Sequence, residues 1–320
     1  MLFSLIICTY NPRESMIRRA VQSCLQQNFP SGEFELLIID NNSNPKITDN
    51  AYFQNLTTNG VSVKIVVENK QGLAFARIKG INESIAPVIV FVDDDNELSL
   101  DYLKSLQELI RTYPDVAAWG PGVIKADYLD GAPDWIKNHA GYLFQEKHLP
   151  ETKYSSEKGW PAHYPVGSGL VITRTLAEMY KSMFLSGKIS LTGRKGTTLA
   201  SGEDSQIIWT AVKSGYNVGT SPVLKLTHLI PGQRCTLDYL LKLNYNISYS
   251  YYSGLHEMFP ELAISKKILN TQRHLRLFIR NILKYPLKPL LAHRIYRLEL
   301  AWLRAHRDFI INTSFSPIHS

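Results

Sequence analysis

Short apolar runs separated by polar, turn-forming segments recur through the first half of the chain, with helically spaced stretches between them. Phe3 to Cys8 is a nearly unbroken apolar run and predicts a buried strand. Glu14 to Gln27 follows the Asn11-Pro12 turn and predicts a helix. Further strands are predicted at Glu35 to Ile39, Val61 to Val67 and Val88 to Val92, with helices from Leu73 to Ser84 and opening at Ser99. This alternation predicts an α/β fold with a mostly parallel sheet and helices on both faces. In such sheets ligands bind beyond the carboxyl ends of strands. Thr9-Tyr10, Asp40-Asn41-Asn42 and Asp93-Asp94-Asp95 all fall at such ends, so three separate stretches converge on one crevice.

The pattern is less regular from Gly120 to Tyr164, a polar, Gly- and Pro-containing stretch with Trp119 just before it and Trp135 and Trp160 inside it. These tryptophans read either as faces on which sugars stack or as anchors of core and loops. Gly167 to Ile172 reads as a turn and strand, Thr175 to Ser186 as a helix, and Gly187 to Gly202 as a mobile Gly/Ser/Thr/Lys-rich loop leading into Glu203-Asp204. A helix from Ser205 to Ser214 and a strand from Val223 to Thr227 come next, with His228 directly after. From Ile264 to Phe309 apolar residues recur at helical spacing, and Pro286 and Pro289 divide the segment into at least two helices. The chain therefore divides into a domain at 1–260 and a basic helical extension at 261–320.

Composition narrows the class. With 44% hydrophobic and 20% charged residues, the 320-residue chain is an ordinary globular protein. Its three cysteines, Cys8, Cys24 and Cys235, are too few and too widely spaced for a zinc site or a disulfide framework, which fits a reducing cytoplasm. The start lacks a basic leader region and reads as the first strand, and no apolar run reaches membrane-spanning length. Charge is concentrated in the tail. Ser265 to Asp308 holds eleven Lys/Arg against Glu299 and Asp308, a net +9, which leaves −2 for the rest of the +7 chain. A basic amphipathic segment with Trp and Phe suits an anionic membrane surface, such as the inner face of the cell membrane. The competing reading is a packing element or homo-oligomer interface with a solvated basic face. Nucleic acid is disfavoured by the acidic crevice and by the absence of a recognised module.

Three consecutive carboxylates at a strand end repel one another and call for a positive partner. They read either as a solvated acidic turn or as a site for a hard cation, Mg²⁺ or Mn²⁺. Glu203-Asp204 reads either as acidic first-turn residues of a helix capped by Ser201 or as functional carboxylates.

Five stretches, in order, resemble family 2 glycosyltransferases of the GT-A fold: Cys8-Thr9-Tyr10-Asn11; Ile38-Ile39-Asp40-Asn41-Asn42-Ser43; Asn69-Lys70-Gln71-Gly72 with Ala76-Arg77; Phe91-Val92-Asp93-Asp94-Asp95; and Gly202-Glu203-Asp204. The resemblance covers roughly the first 230 residues. It implies inverting transfer of one sugar from a nucleotide diphosphate sugar, UDP first, to a glycan or lipid-linked hydroxyl. By this resemblance Asp40 reads the uracil ring, although an Asx turn competes for it, and Thr9, Tyr10, Asn11, Asn69 and Gly72 line the nucleotide side. Arg77 pairs with Asp93 or approaches the diphosphate. Asp93 faces the ribose and is also one of the metal residues, and Asp95 holds the divalent metal with His228 as a further ligand. Asp94, pointing the other way on an extended chain, is a secondary member of the donor site. Arg234 contacts the diphosphate, Asp204 is the general base, and Glu203 orients the acceptor. Gln233-Arg234-Cys235-Thr236 departs from the Gln-x-x-Arg-Trp of processive synthases, which favours single addition.

Other classes fit less well. A sugar nucleotidyltransferase needs a Gly-rich basic signature that Thr9-Tyr10-Asn11-Pro12 does not supply. A phosphatase is excluded by Glu97, and a dehydrogenase lacks Gly-x-Gly-x-x-Gly. A non-catalytic nucleotide-sugar or glycan binder on the same fold is the remaining alternative.

Overall fold

The computed structural model describes residues 1–194, 199, 201–262 and 271–314. Its strands are β1 (Phe3–Thr9), β2 (Phe34–Asp40), β3 (Ser62–Val67), β4 (Val88–Asp93) and β5 (Asn96–Leu98), followed by β6 (Val116–Tyr128), β7 (Lys147–His148), β8 (Lys153–Ser155), β9 (Val171–Thr173) and β10 (Asn217–Ile230). They form one sheet in the order β3-β2-β1-β4-β9-β6-β10-β5, with β7 beside β6 and β8 beside β10. The half β3-β2-β1-β4 is parallel, as the alternation predicts. Antiparallel β9 then joins β4 to β6, and β6 and β10 run parallel to each other.

The unbroken apolar run of β1 follows from burial on both faces. Leu5 and Ile7 pack into one core cluster with Leu36, Ile38, Val90 and Leu106. Ile6 packs into the opposite one with Leu37, Ile39, Phe91 and Trp209. The helices are α1 (Glu14–Leu25), α2 (Ala51–Gln54), α3 (Leu73–Glu83), α4 (Tyr102–Thr112), α5 (Asp134–His139), α6 (Arg174–Leu185), α7 (Glu203–Lys213), α8 (Leu237–Met258), α9 (Thr271–Lys284) and α10 (Pro289–Ser314). In α4, Leu103, Leu106 and Leu109 recur at helical spacing and are buried. In α7 every residue from Gln206 to Val212 is buried, so this helix runs through the interior.

Three sequence expectations change. The helix expected from Ser99 begins at Tyr102, because Asn96–Leu98 pairs as edge strand β5 with β10. The middle stretch carries the long strand β6, in which Trp119 is buried and its ring meets Tyr113 and Tyr154. Trp160 packs edge-on against Trp209, so neither is an open sugar platform. The tail forms two helices as expected. α10 lies along α8, where Asn244 Nδ2 donates to the Leu298 carbonyl at 2.8 Å and the Tyr252 ring stacks on His306. α9 rests on α10 through Arg280 and Asn281, both bonded to Glu299. The predicted onset of the tail at Ile264 and part of the Gly187 to Gly202 loop lie outside the described residues. Among the described residues, no helix is long and apolar enough to cross a membrane.

Candidate functional site

A cleft of about 300 Å³ opens at the carboxyl ends of β1 and β4. Its lining includes Thr9, Tyr10, Arg77, all three aspartates of 93–95, Ser168, Glu203, Asp204, His228 and Arg234. The convergence expected from the strand ends is therefore present in the structure.

Arg77 of α3 lies at the cleft's base, 2% exposed, with its guanidinium over the Phe91 ring. It sits 3.3 Å from Glu203 Oε1 and 3.9 Å from Asp93 Oδ1. Burial pushes the Glu203 carboxyl up to about 7 even against the attraction of Arg77, and the neighbouring Asp204 adds to the rise. Asp204 follows at the start of α7, whose N-cap, Gly202, has φ 108°. Its Oδ1 accepts from the Ser205 amide at 2.8 Å. Gly167 faces it closely: a Cβ there would stand 2.9 Å from Asp204 Oδ2.

On the other side Asp95 is buried, and its Oδ2 meets Arg234 Nη1 at 2.7 Å and His228 Nε2 at 3.4 Å. Burial disfavours the Asp95 charge, yet His228 and Arg234 together hold its carboxyl well below the usual range. The same pairing raises His228 against its own burial. The imidazole is oriented from behind, because Nδ1 bonds the Phe144 carbonyl at 2.8 Å and leaves Nε2 toward the carboxylate. The register Asn96↔His228 sets these two chemistries side by side.

Asp94 behaves differently from the extended-chain expectation. β4 ends at Asp93, and Asp94 and Asp95 lie in the turn to β5, so strand alternation no longer applies. Asp94 lines the cleft and accepts from Thr9 Oγ1. Burial, then the charge of Asp95, pushes it up to about 7. Burial also raises Asp93, which accepts from Ser168 Oγ at 3.2 Å.

Asp40 is not among the cleft-lining residues. Its carboxylate is fully buried and accepts from the Ser43 amide at 2.9 Å and the Ile47 amide at 3.1 Å, an Asx-type arrangement. Asn41, one residue on, lines the cleft instead. Its Nδ2 donates to the Glu68 and Lys70 carbonyls and its Oδ1 accepts from the Gly72 amide, which fastens the loop after β3 to the end of β2. Asn11 lies outside the cleft lining, with φ 46° and side and main chain bonded to Asn44 and Ser43. Asn69 is exposed, and Gly72 stands behind lining residues Gln71 and Leu73 with φ 136°. Cys8 borders the cleft, and burial raises its thiol to about 12, so it stays protonated.

A family model, Glycosyl transferase family 2, matches residues 4–180. The chain belongs to that family. Two curated relatives of this glycosyltransferase align over most of both chains. Glucosyl-dolichyl phosphate glucuronosyltransferase of Haloferax volcanii is 22% identical over 265 residues, 78% of this chain and 76% of its own. Succinoglycan biosynthesis protein ExoM of Rhizobium meliloti is 24% identical over 241 residues, 74% and 69% respectively. The mannosyltransferase PcManGT of Pyrobaculum calidifontis, solved with GDP-Man and Mn²⁺, superposes with TM-score 0.58 at 14% identity, covering 94% of this chain and 86% of that one. S. aureus TarS gives 0.50 at 14% identity, covering 96% of this chain but 55% of TarS. These likenesses establish the GT-A fold, a curled sheet of mostly parallel strands with helices on both faces.

Gln145, Ser168 and Arg194 line the cleft without a role from the sequence, and Asn41 and Gln71, which stand in its motifs, had been given none of their own. Ser168 sits in Gly167-Ser168-Gly169, where Gly169 has φ 66°, so its glycines were the available signal. Gln145 follows no motif; it is left-handed, φ 61°, and places a buried Oε1 without a hydrogen-bond partner among the described residues.

Proposed function

We propose that this family 2 glycosyltransferase moves one sugar from a nucleotide diphosphate sugar, UDP-linked first, to a hydroxyl of a glycan or lipid-linked acceptor, with inversion. The observation that carries the reading is the division of carboxylates within one cleft. Asp95 is held charged between His228 and Arg234, whereas Asp204 stands across the cleft at the start of α7, where its Oδ1 accepts from the Ser205 amide. One group is built to meet cations and the other to receive a proton.

The carboxylate oxygen of Asp95 and imidazole nitrogen of His228 are a fitting donor pair for Mn²⁺ or Mg²⁺, and the ring is fixed by Phe144 in the manner of a metal-ligating histidine. Among the described residues no group of three or more such side chains is placed to hold a metal, so Asp95 and His228 would hold the ion together with groups from outside the protein. When bound, the ion supplies charge that stabilises the leaving diphosphate. Asp93, at the edge of this pair, borders the ribose together with Asp94, whose Thr9 partner lies on β1. Tyr10, Asn41 and Gln71 line the base side, the role first given to Asp40. Arg234 and Arg194 reach the diphosphate as cations. Asp204 takes the proton of the acceptor hydroxyl; that oxygen bonds to the anomeric carbon as the bond to the diphosphate breaks. Glu203, bound to Arg77, holds α7 and therefore Asp204 in place.

The relatives support this class without fixing its members: one acts on a dolichyl phosphate-linked sugar, and another was solved with a GDP-linked one. The test is Asp204→Asn. Turnover is expected to fall by about two to four orders of magnitude, with nucleotide affinity by calorimetry unchanged. Near-full turnover would overturn the assignment. A panel of nucleotide sugars in thermal melts identifies the donor, because ligand at 100 times its dissociation constant adds about 2.7 kcal/mol.

A further inference from the structure

Helix α9 is inverted for a helix in water. Its strongly buried described side chain is polar: Asn281, 2% exposed, donates to the Leu277 carbonyl at 2.9 Å and to Glu299 Oε2 at 2.8 Å. Most of its large apolar side chains face outward, although Leu277 is half-buried and one edge of the Phe278 ring meets Tyr296. Leu275, Phe278, Ile279 and Ile282, spaced as one helical stripe, are all exposed, and Leu283 is 73% exposed. Leu287, at 92%, and Leu290 extend the apolar surface past the helix end. Arg276, Arg280 and Lys284 run at four-residue intervals along one edge of the stripe, and Lys288 follows.

We propose that this face docks on the surface of an anionic lipid bilayer, with α9 lying in the plane of the interface. A soluble monomer rarely exposes so continuous an apolar surface. A lipid surface answers both halves of the pattern, with acyl chains for the leucines and phosphates for the flanking cations. A second copy of this chain would answer only the first half. Its own +9 tail would place like charges within a Debye length of about 10 Å. Nucleic acid would answer only the second half.

The placement fits a surface-bound acceptor. Beside the stripe, Tyr142, Leu277, Trp302 and Leu303 line a groove of about 340 Å³. Tyr142 belongs to the 3₁₀ turn Gly141–Phe144, whose last carbonyl holds His228, and the next residue, Gln145, lines the catalytic cleft. One short turn thus joins the membrane-facing side to the transfer site. The exposure and charge of this face are independent of the donor and acceptor proposed for the cleft.

Flotation of the full chain with vesicles tests it without any sugar. Binding to phosphatidylcholine vesicles containing about one third phosphatidylglycerol is expected to exceed binding to pure phosphatidylcholine at least tenfold, and to weaken in about 0.5 M salt. Leu283→Gln with Leu287→Gln is expected to lower partitioning about tenfold, with an unchanged melting temperature because both side chains face solvent. Absence of flotation by the wild-type chain, or equal flotation by the double variant, overturns the proposal. A concentration-dependent dimer that the double variant dissolves, without vesicle binding, overturns it in favour of a second copy. Tight binding to a nucleic acid duplex in place of vesicles overturns it as well.

Discussion

Arg77 Nη1 lies 3.3 Å from Glu203 Oε1, and both side chains are almost wholly removed from solvent. This contact ties α3 to the first residue of α7, and so to the residue before Asp204. Its worth lies in what remains when one partner is lost. Arg77→Met leaves a buried carboxylate without its cation, a loss of about 3 kcal/mol near pH 8. The loss shrinks at pH 5, where Glu203 takes up a proton. Urea unfolding of Arg77→Met and of Arg77→Met/Glu203→Gln measures it, and the double variant is expected to recover part of the stability at pH 8.

A pH dependence follows with a defined sign. Burial raises the Glu203 carboxyl to about 7, above its ordinary 4.5. The folded protein therefore holds this proton more tightly than the unfolded chain does. The contribution is present in full below pH 4.5 and is lost as pH rises through 7. Glu203→Gln cannot ionise, so its stability relative to wild type is expected to increase from pH 5 to pH 8. Equal differences at both values would show that Glu203 does not titrate in this window.

Room for Asp204 depends on a missing side chain. A Cβ on Gly167 would stand 2.9 Å from Asp204 Oδ2 and 3.3 Å from Arg77 Nη2. Gly167→Ala is expected to lower turnover by about a hundredfold through displacement of the carboxylate, since misplacement by an ångström costs that much. Nucleotide affinity should change little. A titration and a turnover assay on the same preparation separate the two effects.

The aspartate triplet divides by partner. Asp95→Asn is expected to abolish the stabilisation that Mn²⁺ with nucleotide gives in thermal melts, because the oxygen facing both His228 and Arg234 is weakened. Asp94→Asn should retain that response and lose about tenfold in nucleotide affinity, and Thr9→Val should lose a similar amount through the same hydrogen bond. The reverse ranking would exchange the roles of the two carboxylates.

The parallel half of the fold was legible because β1, β2 and β4 are buried on both faces and therefore read as unbroken apolar runs. β5 was not, because three residues directly after a turn carry no periodicity of their own and pair only through β10. Asp93, Asp95, Glu203, Asp204 and His228 were named through the resemblance, and all five line the cleft, although His228 lies within β10 and not after a strand ending at Thr227. Asp40 and Asn41 show where local reading stops. The two are adjacent polar residues at one strand end, and only the amides of Ser43 and Ile47 decide which faces inward. The outward apolar face of α9 was also hidden, since helical spacing defines a stripe without saying which way it points.

The pairing of Asn96 with His228 has a consequence for how such a protein diversifies. Asp95 and His228 are neighbours through hydrogen bonds between β5 and β10, while Gln145 after the 3₁₀ turn and Ser168 reach the cleft on connections of their own. A single inserted residue in β10 would turn His228 to the other face of the sheet. Insertions in the connections would leave that pair intact. A change of chain length is therefore expected to be borne by those turns and not by β10, where one residue would part His228 from Asp95.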